Sequence, residues 1–204
     1  MYHFKPEDIP EQHRYKFMIG TVVPRPIALI STQSTDGVLN IAPFSYFNIV
    51  THRPMILSVS IARKAGVMKD TARNIVETGV ANVQVVDMDA VQDANATAAP
   101  LDKHESELTL TNFSLSTLET SDVPGLKESK VIYETALYQH ITIEHDATVT
   151  TDMFLLKVNA IHIDEGIYDV ENGYVDVAAL NPVARLAGDD YMEMGKTFTI
   201  QRPR

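Results

Sequence analysis

The sequence predicts a mainly β protein with helical additions, arranged as a β-barrel rather than as an alternating β-α-β sheet. Three observations carry that expectation. Short segments rich in Val, Ile, Thr and aromatic residues recur along the chain, bounded by Gly, Pro, Asp or Asn, which is the pattern of half-buried or barrel strands. Two turn dipeptides, Asp36-Gly37 and Asn172-Gly173, lie between such segments, and these residue types accept the positive φ of tight hairpins. Helical signals are confined to two stretches, so strands with inserted helices outweigh a regular alternation.

Taken in order, Ile27–Thr32 reads as a strand, and Asp36-Gly37 turns it back into Val38–Ile41. Met55–Ile61 is the next strand. A short helix follows over Thr71–Thr78, with Asp70 as its N-cap, Ile75 and Val76 as its apolar face and Gly79 as its stop. Val80–Val86 returns to strand. A second helix is expected over Asp87–Ala98, packing Met88, Val91 and the small residues of Ala94–Ala98 inward. Pro100–Glu128 has weak periodicity and many Ser, Thr, Asp and Pro residues, the signature of a long surface excursion. Ala136–Glu144 and Phe154–Ile163 are further strands. Asn172-Gly173 joins Ile167–Val170 to Tyr174–Val177, and Thr197–Gln201 closes the strand series. No internal repeat or low-complexity tract interrupts the chain, so a single domain over 1–204 is expected.

Composition narrows the function classes. The hydrophobic fraction is 45% and the charged fraction 22%, an ordinary globular balance that supports a packed core. The formal net charge of −10 opposes a general nucleic-acid partner, which needs Lys and Arg to neutralise phosphates. The absence of cysteine removes disulfides, thiol catalysis, Cys-ligated zinc and iron–sulfur clusters, so any redox chemistry needs a bound cofactor. The opening residues Met1–Pro10 are polar and proline-broken, without the apolar core of a signal peptide, and no stretch approaches the ~20 apolar residues of a membrane span. A soluble, cytoplasmic protein with no membrane partner is expected.

Two motifs carry the chemistry. Thr21–Thr32 runs into Asn40-Ile41-Ala42-Pro43-Phe44-Ser45-Tyr46-Phe47-Asn48, where aromatics, hydroxyls and amides alternate around a proline. Phe44, Tyr46 and Phe47 offer apolar walls, Ser45 and Asn48 offer edge partners, and Pro43 is expected to interrupt the strand ladder and free backbone groups. That lining suits a planar ligand, apolar on its faces and polar on its edges; the alternative is a strand end packing two of the three rings into the core. Further on, Arg63, Lys64, Lys69 and Arg73 cluster with Asp70 as the only acid. A helix start offers unpaired N–H groups and partial positive charge, so Lys69 and Thr71 could complete a phosphate cradle; the alternative is a solvated face. A ring site and a phosphate site in one small domain suggest flavin mononucleotide (FMN).

Other candidates are more open. Arg25 lies between Pro24 and Pro26, a stiff, extended platform for aiming a guanidinium at an anion, or for a surface salt bridge. The seven histidines show no metal-ligand spacing, so no metal site is expected. His162 shares the alternate-residue face of Phe154, Leu156, Val158 and Ala160, as a core or edge histidine would. No G-x-G-x-x-G, P-loop or nucleophile elbow occurs, so a nicotinamide nucleotide would not sit in a Rossmann crevice.

Together, Pro24–Thr32, Asn40–Asn48, Lys69-Asp70-Thr71 with Asn74-Ile75, and Leu180–Tyr191 resemble the flavin reductase-like, FMN-binding split-barrel family. The blocks occur in family order over about residues 20–192. The resemblance implies a homodimer of split β-barrels, each holding FMN near the subunit interface. It implies that Asn40, Ala42, Pro43, Phe44, Ser45, Tyr46 and Phe47 line the isoalloxazine and ribityl chain, while Ser60, Lys69 and Thr71 surround the phosphate. Arg185 and Tyr191 are similar to the family's C-terminal Arg and Tyr, and His162 matches a position where the family often has histidine, making it the candidate catalytic residue. Ala187-Gly188 replaces the usual double glycine, and Tyr133–His145 is poorly matched. The implied activity is hydride transfer from NADH or NADPH to flavin, with free flavin, a companion oxygenase or another electron-transfer protein downstream. The rival is a noncatalytic FMN-binding electron carrier or flavin-binding module.

Overall fold

The computed structural model describes residues 1–203. Its centre is an antiparallel sheet of β1 (Ala28–Gln33), β2 (Leu39–Phe44), β3 (Phe47–His52), β4 (Met55–Ala62), β5 (Val80–Val85), β6 (Val131–His145) and β7 (Thr148–Ile163). Their spatial order is β2-β1-β5-β6-β7-β4-β3. The two edges, β2 and β3, are consecutive in the chain and joined only by Ser45 and Tyr46, yet they do not pair with each other. The sheet curls into a barrel with one seam unpaired, the split β-barrel.

The curl has a local cause. β6 and β7 form one long hairpin whose register shifts between Val149 and Thr151, Leu155 and Leu156, and Val158 and Ala160. Each irregularity bends the ribbon and increases its twist. Asp146 and Ala147, with φ of 48° and 59°, close the hairpin, and this turn lacks the Asn-Gly or Asp-Gly signal that marks such corners in a sequence.

Both faces of β1 are covered, so its first half, Ala28-Leu29-Ile30, is a continuous apolar run rather than an alternation. Ala28 and Ile30 join Val59, Ile61, Val83, Phe154 and Leu156 inside the barrel, where Ala72 and Ile75 of α2 (Asp70–Thr78) pack onto them. Ile27 and Leu29 face outward, onto Ala94 of a short helix (Val91–Ala96) and onto Phe113, Val123 and Leu126. The stretch Pro100–Glu128 is therefore more than a surface excursion, because it supplies Phe113, Val123 and Leu126 to a second core. It also covers an edge: Glu107 Oε2 accepts the Ile41 N–H at 2.9 Å, and burial pushes the Glu107 carboxyl above its usual pKa against that bond.

Several local expectations are corrected. Lys69, not Asp70, holds the N-cap position of α2 and provides no side-chain cap. Gly79 stops that helix as expected, with φ of 74° and its N–H on Ile75 O at 3.0 Å. The second helix spans only Val91–Ala96, and Thr197–Gln201 is not a strand, having no partner among the described residues. Pro43 does not interrupt the ladder; it pairs in register with Leu29. Edge strand β2 tolerates it because Ile41, two residues earlier, also turns its N–H off the sheet. A helix the sequence did not signal, α1 (Glu11–Thr21), buries only Ile19 and so has no apolar stripe to betray it.

Candidate functional site

At the open seam lies a groove of about 570 Å³, within the range of small-molecule and cofactor sites. One wall is the β2–β3 connection and its continuation, Ser45, Tyr46, Phe47 and Asn48, with Ser58 and Ser60 of β4. The Ser60 N–H donates to Tyr46 O at 2.9 Å and fixes that corner. The opposite wall is α1, through Glu11, Arg14, Tyr15 and Met18, and the floor includes Val22, Pro24, Arg25 and Pro26. Tyr15, Met18 and Tyr46 are exposed at the rim. Burial raises the Tyr46 hydroxyl above its usual pKa, Tyr15 adds to the shift and Arg25 opposes it, so Tyr46 is a neutral phenol at physiological pH.

Arg25 is buried and forms no salt bridge among the described residues. Its Nη1 donates to Ile19 O at 2.8 Å and Val22 O at 2.6 Å, and its Nη2 to Leu186 O at 2.7 Å. These are carbonyls at the end of α1 and in the C-terminal segment, so Arg25 ties both to the barrel. Its Nε is left as a buried donor without a partner among the described residues.

The start of α2 reaches Phe44, the chain neighbour of groove-lining Ser45. Lys69 is exposed, and its ammonium sits 6.0 Å from the ring centroid of Phe44. The first amides of a helix have no intrahelical acceptor, and no side chain caps them here. Behind them is a buried polar network. Asn40 Nδ2 donates to Thr71 Oγ1 at 2.8 Å, and Asn74 Nδ2 donates to Thr32 Oγ1 at 3.1 Å. Thr71 thereby accepts one bond and keeps its own O–H to donate.

The structure divides the sequence candidates. Ser45, Tyr46, Phe47, Ser60 and Arg25 line the groove. Asn40, Ala42, Phe44, Lys69 and Thr71 gather at the start of α2, with Phe44 and Ala42 on the inner core. Phe44 and Phe47 pack against that core and Tyr46 does not, as expected for two rings of three. Pro43 lies half-buried on β2. Arg185 does not line the groove, but its backbone pairs in register with groove-lining Arg25; its guanidinium lies 4.4 Å from the Tyr191 ring, and Tyr191 Oη donates to Asn95 Oδ1 at 2.8 Å. His162 is also elsewhere: its Nε2 bonds Glu134, which accepts from Thr120 N–H at 2.7 Å and Glu119 N–H at 3.2 Å. Burial raises the Glu134 pKa, but these bonds outweigh it and hold the carboxyl below its usual value. No group of acids and histidines able to hold a metal exists among the described residues.

Sequence reading missed the whole α1 wall, and it missed Ser58. The alternation of Ser58 and Ser60 with Leu57, Val59 and Ile61 was the available signal, since period two puts the serines together on one face.

Comparison with known proteins agrees with this geometry. YwrF of Bacillus subtilis strain 168, an uncharacterized protein, is 44% identical over 204 residues, covering 100% of both chains. The solved structure of nitrilotriacetate monooxygenase component B from Bacillus cereus superposes with a TM-score of 0.95 at 36% identity, covering 98% of each chain. That of 2-nitrobenzoate 2-nitroreductase NbaA from Pseudomonas fluorescens gives 0.88 at 26% identity, covering 99% of this chain and 96% of that one. The family model of the flavin reductase like domain matches residues 19–177. With the open-seamed barrel and the groove along it, this match establishes that the chain belongs to the flavin reductase-like domain family.

Proposed function

We propose that this chain, acting as one domain, is an FMN-binding oxidoreductase that transfers hydride from NADH or NADPH to flavin. The observation that carries the reading is a pair of sites linked through consecutive residues: Ser45 lines an apolar groove at the barrel seam, and Phe44 lies 6.0 Å from the exposed lysine at an uncapped helix start. The residues fit such a cofactor. Tyr46, Phe47 and Met18 supply apolar contact for a flavin ring, and Ser45, Asn48 and the unpaired Arg25 Nε supply polar partners for its edge. Lys69, the Thr71 hydroxyl, Ser60 and the first amides of α2 supply the donors a phosphate monoester needs.

Bound FMN would accept the hydride itself, so the protein needs no triad or acid–base residue. The chain's part is to hold the ring with one face toward the rim, where exposed Tyr15 and Met18 can receive a second planar ring at about 3–3.5 Å. His162, committed to Glu134, serves here as a structural edge histidine. Strand β3 is an open edge beside the groove with Ile49 74% exposed, which supports a second copy covering it. The relationship to a monooxygenase component B supports a companion oxygenase as final acceptor. No helix is long and apolar enough to cross a membrane among the described residues, which fits the cytoplasmic site of action we assign.

Mixing FMN-loaded protein with NADH or NADPH without oxygen tests the activity. The oxidised-flavin absorbance should bleach with one of them. Bleaching by dithionite but by neither nucleotide would make the protein an electron carrier instead.

A further inference from the structure

Asp152 on β7 is fully buried and is used by nothing in the groove. Its Oδ1 and Oδ2 each receive a 2.8 Å bond from Arg63, from Nη2 and Nε respectively, so the guanidinium is gripped by a two-pronged fork. His140 Nε2 lies 2.9 Å from Oδ1, and the imidazole stacks on buried Phe154 with centroids 4.8 Å apart. Burial raises the Asp152 pKa, but the bonds and charges of Arg63 and His140 outweigh it and keep the carboxyl ionised below its usual range.

Arg63 begins the connection from β4 to α2. Its Nη1 reaches Gly66 O at 3.3 Å, and its own N–H is held by Thr150 O at 2.8 Å. Between Lys64 and Val67 the chain makes a tight turn, with reciprocal backbone bonds of 3.2 and 3.0 Å and positive φ at Ala65 and Gly66. Three residues after Gly66 comes Lys69. A rigid carboxylate in the barrel wall thus reaches, through one guanidinium, the turn that delivers the exposed lysine.

We propose that Asp152 is a positioning residue for the phosphate cradle, holding Arg63 as a strut that fixes the Lys64–Val67 turn and thereby the place of Lys69. This rests on the reading of Lys69 and the start of α2 as a phosphate site. An exposed lysine without a fixed base samples many positions, and misplacement of a binding group by about 1 Å can cost on the order of a hundredfold. Met68, packed on the core, limits the displacement, so the expected loss is smaller.

The test measures FMN and riboflavin affinity for the full-length protein, for Asp152→Asn and for Arg63→Lys. Asn keeps a hydrogen-bonding side chain of the same shape but loses the ionic fork; Lys keeps the positive charge but cannot make it. Each should lose about tenfold in FMN affinity with less than a twofold change for riboflavin, and the double variant should be no worse than either single one. Arg63→Lys carries the test if Asp152→Asn does not fold. Full retention of FMN preference by the variants that fold overturns the strut alone. Equal loss of both ligands also overturns it, by reducing Asp152 to general stability. A parent protein that binds riboflavin as tightly as FMN overturns the cradle, and the strut with it.

Discussion

Replacing Lys69 with alanine separates a phosphate contact from a solvated helix face. Lys69 is exposed, and its ammonium sits 6.0 Å from the Phe44 ring centroid, at the outer limit of a cation–π contact. Losing that contact costs folding about 0.5 kcal/mol. A charge-assisted bond to phosphate is worth about 1.5–3 kcal/mol, and solvent exposure places Lys69 at the lower end, about a tenfold loss of FMN affinity. Riboflavin has the same ring and ribityl chain without the phosphate, so its affinity should change less than about twofold. Equilibrium titration by flavin fluorescence, with both ligands against both proteins, reads the difference directly. Parallel losses for the two ligands, or no loss for either, would refute the placement of the phosphate at this helix start.

Thr71→Val removes the acceptor that Asn40 Nδ2 uses at 2.8 Å in a buried network, and the urea midpoint should report a loss of about 1–3 kcal/mol even without flavin. Ile49→Lys places a charge on the open edge of β3, where Ile49 is 74% exposed; monomer stability should change by less than about 0.5 kcal/mol, while sedimentation at micromolar concentration should show dissociation. Glu134→Gln should flatten the acid side of the stability profile. The folded state holds this carboxyl below its ordinary value of 4.5, so its contribution is present above that pH and is lost as pH falls through the lower folded value. Denaturant midpoints across that window should fall more steeply in the parent protein than in the variant.

How far the sequence could be read follows from what kind of force fixes each part. Strand cores were legible in two ways: Ile27–Ile30 as an apolar run buried on both faces, and Leu57, Val59 and Ile61 as a period-two alternation with Ser58 and Ser60. The α2 segment was legible through its stop at Gly79, yet the cap was misplaced by one residue because Asp70, an ordinary capping type, pairs with Arg73 instead. The β6–β7 hairpin extends well beyond the strand segments recognised in it, since consecutive polar residues, Glu134-Thr135 and Thr150-Thr151-Asp152, interrupt both the apolar run and the period-two alternation. At the site, Ser45–Phe47 and Lys69 came from local pattern, and Ser60 from the family resemblance. The α1 wall did not, because that helix is held by Arg25 bonding its terminal carbonyls across the fold, a tertiary contact with no periodic trace.

The most direct measurement is a crystal structure of the protein grown with FMN. The isoalloxazine should lie in the seam groove against Tyr46 and Phe47, with the phosphate within hydrogen-bond reach of Lys69 Nζ and the first amides of α2. A flavin seated elsewhere, with its phosphate beside Arg185 and Tyr191 or facing solvent away from Lys69, would contradict it.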